Sequence, residues 1–561
     1  MKSIGGKKLG WRTSIFWGLS VGIVLLFYGT RWFFGRLMVP NDFYIHYTWA
    51  TFFTNRLAAG CLTPVWLPEV FQGLGAAIFL YYPPLYYYGV GILNLVLGNT
   101  WLAMRIVEGL AAFGIAWFAA RYARKNLGSG LMDGLLAVCV VACSPVLLAR
   151  LYMLGGLPSY VSCFFMTAAA VRTVDIIQQG KHGWDWLLTF WIGLLSWTHN
   201  LMVLMALAAI FGGLVFLAVF RRRVPYGTII GSCILGFALG LPRFFSAFID
   251  MPSINHQNIV QLEELLWQNH FLLPVGLKTS WAFFQWGLGG LLAFGICLWG
   301  LVLLCNRLAP SNSHAFWLGG SLTCLFFALP LSWFFWKWLP PLQYFQSPTR
   351  FLDPLCLFTA LGLCCAFREL GPSRIGWYLR IPLWLFVAGS LALVARVWQL
   401  GISVEPELES WLHATSNQWE YLPAGQPVGW RQLPDIQPQQ IVNLPDGEVR
   451  VLPPGKDGGL VADFQQDGNA LRLLPIFHHD RWEVYVDGKK TPFQKDEGTG
   501  LIQVMLSGGH HRIVTKWSQS YWDLLSSGAL ILLLVGVPAG GIVFAKQNNS
   551  SKGLLSPKAL E

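Results

Sequence analysis

The chain has 561 residues, of which 54% are hydrophobic, 15% aromatic and only 12% charged. A soluble fold of that length has no need of so many long apolar runs, so the composition excludes a soluble enzyme and indicates a polytopic membrane protein. The net charge of +11 is not a nucleic-acid signal, because its Lys and Arg fall mostly in short clusters between apolar spans, where they set orientation.

Lys2, Lys7, Lys8 and Arg12 precede a first span, roughly Ser14 to Phe34. No small-residue cleavage site follows, so this reads as a retained anchor with a cytoplasmic N-terminus. Asn41-Asp42-Phe43-Tyr44-Ile45-His46 comes next and opens a first external loop, 35–100. An acid at a membrane boundary is costly unless it has a role, and on a helix Asp42 and His46 share one face. The bland alternative is that Asp42 is a solvated helix cap. The loop's aromatic end, around Pro83-Pro84 and Tyr86–Leu97, reads as an interfacial segment and not a span. That choice also keeps Arg121, Arg124 and Lys125 on the cytoplasmic side of a second span, Trp101–Ala120.

Further spans follow at Leu131–Ala149, Pro158–Val174, Trp186–Trp197, Leu201–Phe220, Gly227–Phe248, Trp281–Cys305, Ala315–Trp336, Phe351–Phe367 and Ile381–Gln399. A later external loop covers 250–280. From 401 to 520 the composition shifts to short alternating pieces, such as Ala470–Phe477 and Trp482–Val486, with turn signals at Asp487-Gly488 and Ser507-Gly508-Gly509. This is the expected pattern of a small external β-domain. A last span, Leu524–Phe544, and a cytoplasmic tail complete 521–561. The expected total is about twelve spans with both ends inside. The 11 cysteines lie almost entirely in the apolar runs, Cys61 excepted, and read as packing thiols, not a disulfide framework.

This orientation gathers polar residues on the outer face: Asp42, His46, Arg150, Tyr152, His199, Arg243, Glu263, Glu264, His270, Lys278 and Arg350. One carboxylate among several cations suits a substrate carrying a phosphate, which guanidinium groups grip bidentately. The carboxylate could serve as general base or hold a metal. Taken singly, Arg150, Arg243 and Lys278 are snorkelling side chains, His199 is a helix-end packing residue, and Glu263-Glu264 a solvated face. His46 and one Asp do not make a metal site. Arg350, which opens an inward span behind Ser347-Pro348-Thr349, is the strongest basic candidate.

Asp42…His46, Pro64-Val65-Trp66, Gly73-Leu74-Gly75 and Tyr82-Pro83-Pro84-Leu85-Tyr86-Tyr87 together resemble bacterial integral membrane proteins labelled pyruvoyl-tetrahydropterin-synthase-related. These in turn look like distant members of the type-C (GT-C) glycosyltransferase superfamily, which uses polyprenyl-phosphate sugars. Arg150-Leu151-Tyr152, Ser196-Trp197-Thr198-His199-Asn200, Ser347-Pro348-Thr349-Arg350-Phe351 and Trp419-Glu420-Tyr421-Leu422-Pro423 resemble later points of the same group. So do Arg481–Lys489 and Leu506–His511 in the β-region.

The resemblance implies a GT-C-like catalytic domain over 1–400 and places Asp42 as the catalytic carboxylate of the first external loop. With the outer-face cluster read from orientation, the expected donor-phosphate ligands are Arg350, Arg150, His199, Arg243 and Lys278, and the expected donor or acceptor contacts His46, Tyr152, Glu263, Glu264 and His270. Several members carry a second acid beside the first. Asn41 stands there in this chain, which leaves a divalent metal in doubt and favours Asp42 as a base. Partners would be the donor lipid, a glycan, lipid or protein acceptor, and other envelope-assembly proteins, at a bacterial inner membrane. Trp482 and Tyr485 are expected in the core and not at a sugar. Rival readings are a lipid or polysaccharide transporter and a non-catalytic scaffold of a glycan machine. A transporter would need ionisable residues deep within the spans, and the sequence map places almost none there.

Overall fold

A computed structural model describes residues 5–38, 42–126, 131–256, 267–272, 292, 295–296, 299–300, 311–345, 347–370, 380–404, 408, 419–425, 441–444 and 447–542. The apolar runs are helical, since only a helix or a closed barrel satisfies its own backbone polar groups in hydrocarbon. Among the described residues, eight helices are long and apolar enough to cross a membrane: Ser14–Phe34, Thr100–Lys125, Gly134–Leu154, Leu157–Gln179, Asn200–Val219, Pro348–Ala366, Ile381–Leu400 and Tyr521–Ile542. Two pairs, Tyr226–Ala238 with Leu241–Ser253 and Asn312–Ala328 with Pro330–Trp338, bend by 46° and 78°. Each break carries a proline (Pro242, Pro330), which cannot donate to the preceding turn. Counting each pair as one crossing gives up to ten.

The chain is therefore a polytopic helical membrane protein, and one of the expected twelve spans is shorter than a crossing needs. Trp186–Thr198 is a helix of 13 residues. At 1.5 Å per residue it measures roughly 20 Å, short of a hydrocarbon core of about 30 Å. The run Trp281–Cys305 lies largely outside the described residues. Leu85–Leu97 is likewise a short helix, closed by Gly98 in the left-handed conformation (φ 65°), with Ile92 and Val96 facing outward. The nine described cysteines are all free.

The expectation that almost no charge lies within the spans is corrected. Arg31 and Glu108, both fully buried, join the helices Gly5–Phe34 and Thr100–Asn126 through Nε–Oε2 (3.1 Å) and Nη2–Oε1 (2.9 Å). The guanidinium also lies against the rings of Phe43 (4.5 Å) and Trp101 (4.7 Å). Asp175 holds Arg121 and Lys125, and Asp185 holds Arg172 and Lys181. Each of these charges is paired, which is how a bundle tolerates them.

Two short strands, β1 (Arg36–Leu37) and β2 (Ile402–Ser403), pair antiparallel and bring the ends of the helices Gly5–Phe34 and Arg380–Leu400 to the same side of the bundle. The C-terminal β-region follows on that side. A six-stranded antiparallel sheet runs β3 (Ile441–Leu444), β4 (Gly447–Leu452), β5 (Val461–Gln466), β11 (Gly509–Trp517), β7 (Trp482–Val486) and β8 (Lys489–Thr491). A three-stranded sheet runs β6 (Ala470–Phe477), β10 (Leu501–Leu506) and β9 (Phe493–Lys495). Asp487 and Gly488, at φ 49° and 79°, form the tight turn between β7 and β8 that the sequence announces.

The first loop packs on this region. Phe477 N–H donates to Leu74 O (3.0 Å), and Trp66 meets Trp482 and Trp517 with ring centres 4.8 and 5.7 Å apart. Gly75 is required at that contact: it has φ +76°, and a Cβ there would stand 2.3 Å from the Trp66 indole nitrogen. Trp482 is core, as expected. Tyr485 is not; it is half-exposed, bonded to Glu483 (2.8 Å) beneath the Lys516 ammonium.

Candidate active site

Asp42 stands immediately before the helix Phe43–Ala58, where the chain leaves the bundle. Its backbone N–H donates to Leu154 O (2.9 Å), and Met38 N–H donates to Tyr152 O (2.9 Å). The acceptors belong to a π-helical turn, Arg150–Leu154, a distortion that recurs at functional sites. Gly155 makes the approach possible: it has φ +68°, and a Cβ would lie 2.4 Å from the Phe43 nitrogen. The acid and Arg150 are thus positioned by the same turn.

Asp42 does not cap its helix, and among the described residues its carboxylate accepts no hydrogen bond. Burial raises its carboxyl above the ordinary range, opposed by the charges of Arg350 and Arg150. Arg150 is bound at Nε (3.0 Å) and Nη2 to the buried Asp353, at the start of the helix that follows Arg350. Part of its guanidinium is therefore committed to the fold, so its first service is to set the Arg350 segment beside Asp42.

Tyr82 completes one wall. It follows the short helix Ile78–Tyr81 in extended conformation, and its ring meets His46 (6.1 Å), Trp49 (5.6 Å) and His199 (6.0 Å). Burial and the Asp42 charge push its phenol up, so it stays a neutral donor. His199 occupies the extended break between the helices Trp186–Thr198 and Asn200–Val219. Burial together with Arg350 and Arg150 holds it well below its usual value, and its Nδ1 has no partner among the described residues. It is a neutral imidazole with a free ring nitrogen.

Glu420 is the residue the sequence reading missed as a site candidate. Its short 3-10 turn, Trp419–Tyr421, is fixed by the pairing of Asn255 N–H with Leu422 O (2.8 Å) and Ala424 N–H with Ser253 O (3.2 Å). Burial, aided by the charge of Asp42, pushes the Glu420 carboxyl up to about 7. The site therefore has two carboxylates. An acid between two aromatics ahead of Pro423 was the available signal.

The other sequence candidates fall elsewhere or serve the fold. His46 is buried, its Nδ1 2.7 Å from the Tyr87 hydroxyl, and burial lowers it to about 3; it supports Tyr82 from behind. Tyr152 is buried against Thr30 (2.7 Å) and Phe27 O (2.9 Å), which corrects its assignment as a substrate contact. Arg243 donates from Nη2 to Phe79 O (2.8 Å) and Tyr82 O and lines a cavity that Asp42, Arg150, His199 and Arg350 do not line. His270 closes the turn Trp267–His270. Glu263, Glu264 and Lys278, like Asn41, lie outside the described residues.

Among the described residues no three His, Cys, Asp or Glu side chains come together as a metal-ligand set. Asp42 and Glu420 offer oxygen ligands, but His46, on the helix that Asp42 precedes, is spent on Tyr87. The donor set does not fit a resident divalent cation, and no step is routed through one.

No family model matches the chain, and no curated protein matches its sequence. Solved structures that resemble the chain include two membrane proteins. One is ArnT from Cupriavidus metallidurans bound to undecaprenyl phosphate, at 12% identity and TM-score 0.37, covering 72% of this chain and 73% of that one. The other is the Archaeoglobus fulgidus oligosaccharyltransferase in the apo form, at 12% identity and TM-score 0.36, covering 72% and 56%. Alignments this loose establish neither substrate nor chemistry for this chain.

Proposed function

We propose that this chain is an integral membrane glycosyltransferase of the GT-C kind, taking a sugar from a polyprenyl-phosphate donor. The acceptor is a hydroxyl of a glycan, lipid or protein on the extracytoplasmic face of a bacterial inner membrane, with both termini cytoplasmic. The observation that carries the reading is Asp42: a half-buried carboxylate, unbonded among the described residues, facing Arg350 and Arg150 at the end of the bundle. A half-buried charge with no structural partner is expensive and is kept where it has chemistry to do.

In this reading Asp42 takes the proton of the acceptor hydroxyl as its oxygen attacks the anomeric carbon. The bond from that carbon to the phosphate oxygen breaks, and its electron pair leaves on the phosphate. Arg350, with Arg150 behind it, neutralises the leaving charge, and Tyr82 and His199 supply neutral donors. The paired charges within the spans do not favour transport, because each is already satisfied within the bundle.

The test is mass-spectrometric profiling of glycans and lipid intermediates in cells carrying wild type, Asp42→Asn or a null. Loss of a general base costs about 10²–10⁴ in rate. The same sugar should therefore disappear in Asp42→Asn and in the null. Wild-type glycans in Asp42→Asn at normal expression would sink the catalytic reading and bring the scaffold forward.

A further inference from the structure

The turn that carries Glu420 is anchored to the external β-region. Ser253, whose carbonyl holds Ala424, donates from Oγ to Asp480 Oδ2 (2.6 Å), and Lys495 Nζ donates to Ala424 O (2.9 Å). Tyr421, the next residue, packs its ring against Trp49 (ring centres 5.8 Å apart) and Tyr81 (6.1 Å). Trp49 belongs to the helix that Asp42 precedes, and Tyr81 comes just before Tyr82, so Tyr421 holds its turn beside the Asp42 pocket. Asp42, Tyr81, Tyr82, Glu420 and Tyr421 are all half-buried and keep open surface.

The cations come from the bundle instead. Arg150 stands in the π-helical turn Arg150–Leu154 and Arg350 in the turn Pro348–Phe351 that starts a span. Their charges act on Asp42 but not on Glu420, so Asp42 is the carboxylate near the cations and Glu420 the one away from them. A polyprenyl-phosphate donor lies in the bilayer and brings its phosphate to the arginines. The side tied to the β-region is left for an acceptor that comes from outside the membrane.

Among the described residues the Glu420 carboxyl meets its own backbone N–H and no other donor. A carboxyl has lone pairs to spare after one such bond and accepts readily from hydroxyls. Next to a phosphate it would be a liability, because like charges repel. Beside half-open tyrosine rings it suits a sugar, whose hydroxyls bond the carboxyl while its C–H face rests on an aromatic face. A peptide serine or threonine brings one hydroxyl, which Asp42 takes. A sugar brings a neighbouring hydroxyl for Glu420 as well.

We propose that the acceptor is a glycan, and that Glu420 binds a hydroxyl of its sugar next to the one that Asp42 deprotonates, with the sugar's face on Tyr421. This assignment rests on the transferase reading above and names the acceptor that reading leaves open.

The test is an acceptor titration at pH 6, where Glu420 is protonated, so that a substitution there removes a hydrogen bond and not a charge. The full chain in nanodiscs receives the polyprenyl-phosphate-sugar lipid extract of null cells as donor. The acceptor is the unglycosylated species that the same cells accumulate. Glu420→Leu should raise the acceptor KM at least about tenfold, with kcat and donor KM within about twofold of wild type. Glu420→Gln, whose amide still donates and accepts, should restore the acceptor KM. An unchanged acceptor KM in Glu420→Leu overturns the assignment, as does a rise in donor KM alone or a fall in kcat that both variants share. Mass spectrometry of the accumulated acceptor reads its class, and a peptide or a lipid without sugar overturns the glycan. Failure of the transferase reading looks different: Asp42→Asn then turns over like wild type in the same assay.

Discussion

Two charged clusters meet the same stretch of chain, 78–84, and they are built on opposite rules. Around Arg481 the groups are satisfied. Its guanidinium binds Asp250 (Nε, 3.0 Å, and Nη2), Asp523 and Ser246 Oγ (3.1 Å), tying the β-region to the helix Leu241–Asp250 and to the last span. Around Asp42 the carboxylate lacks a bond among the described residues, the Glu420 carboxyl is raised to about 7, and His199 keeps a free nitrogen. The first cluster is a latch and the second is a pocket. A buried charge fully paired within the protein holds shape, whereas one kept near opposite charge without a bond is available to a substrate.

The largest effect that separates them concerns stability against rate. Asp42→Asn should cost about 10²–10⁴ in transfer rate with the melting temperature unchanged or raised, since it removes a half-buried and unbonded charge. Arg481→Met should do the reverse. It strands Asp250 and Asp523 at a buried interface, at a cost of about 3–5 kcal/mol. A thermal-unfolding series on purified protein checks both. If Asp42→Asn destabilises as much as Arg481→Met, Asp42 is a structural acid and the contrast fails.

A smaller effect is confined to pH. The Glu420 carboxyl is raised from 4.5 to about 7 in the folded protein. Between those values the folded state holds a proton that the unfolded state has lost. Stability from this group is full below 4.5 and is lost as pH rises through 7. Above 7 its second negative charge also repels the donor phosphate. Wild type should then show a donor KM that climbs above pH 7, while Glu420→Gln keeps KM level and melts at a higher temperature there. A flat KM profile in wild type would remove Glu420 from the pocket.

The spans, the loop and Asp42 were legible because hydropathy and an acid at a boundary are local signals. Arg350 and His199 were legible for the same reason, as polar residues at helix ends. Arg150 was half legible: the sequence marks a cation, but that its Nε and Nη2 go to Asp353 depends on packing between distant helices. For Arg243 and Tyr152 the sequence marks the outer side but not the partners: Arg243 Nη2 goes to two backbone carbonyls, and the Tyr152 hydroxyl to Thr30 and Phe27 O. Glu420 was missed for a related reason. Its neighbourhood offers only an acid between two aromatics, and its turn is placed by pairing with the distant segment 253–255.

The smallest effect tests whether the latch speaks to the pocket. Tyr81 donates to Asp250 O (2.8 Å) and lies 3.1 Å from His479 Nε2. His479 Nδ1 accepts from the Arg481 backbone (3.2 Å), so Nε2 carries the proton and donates to the Tyr81 hydroxyl. Burial lowers His479 from 6.5 to about 3, so this end loses stability as pH falls below 6.5, the opposite sense to Glu420. Tyr81→Phe should cost about 0.5–1.5 kcal/mol and flatten none of the rise in KM above pH 7. If the latch only holds shape, kcat stays at its wild-type value once stability is restored by lower temperature. A several-fold fall in kcat that persists there would mean that Tyr81 sets the ring of Tyr82 beside Asp42, and that the two clusters are one machine joined at a peptide bond.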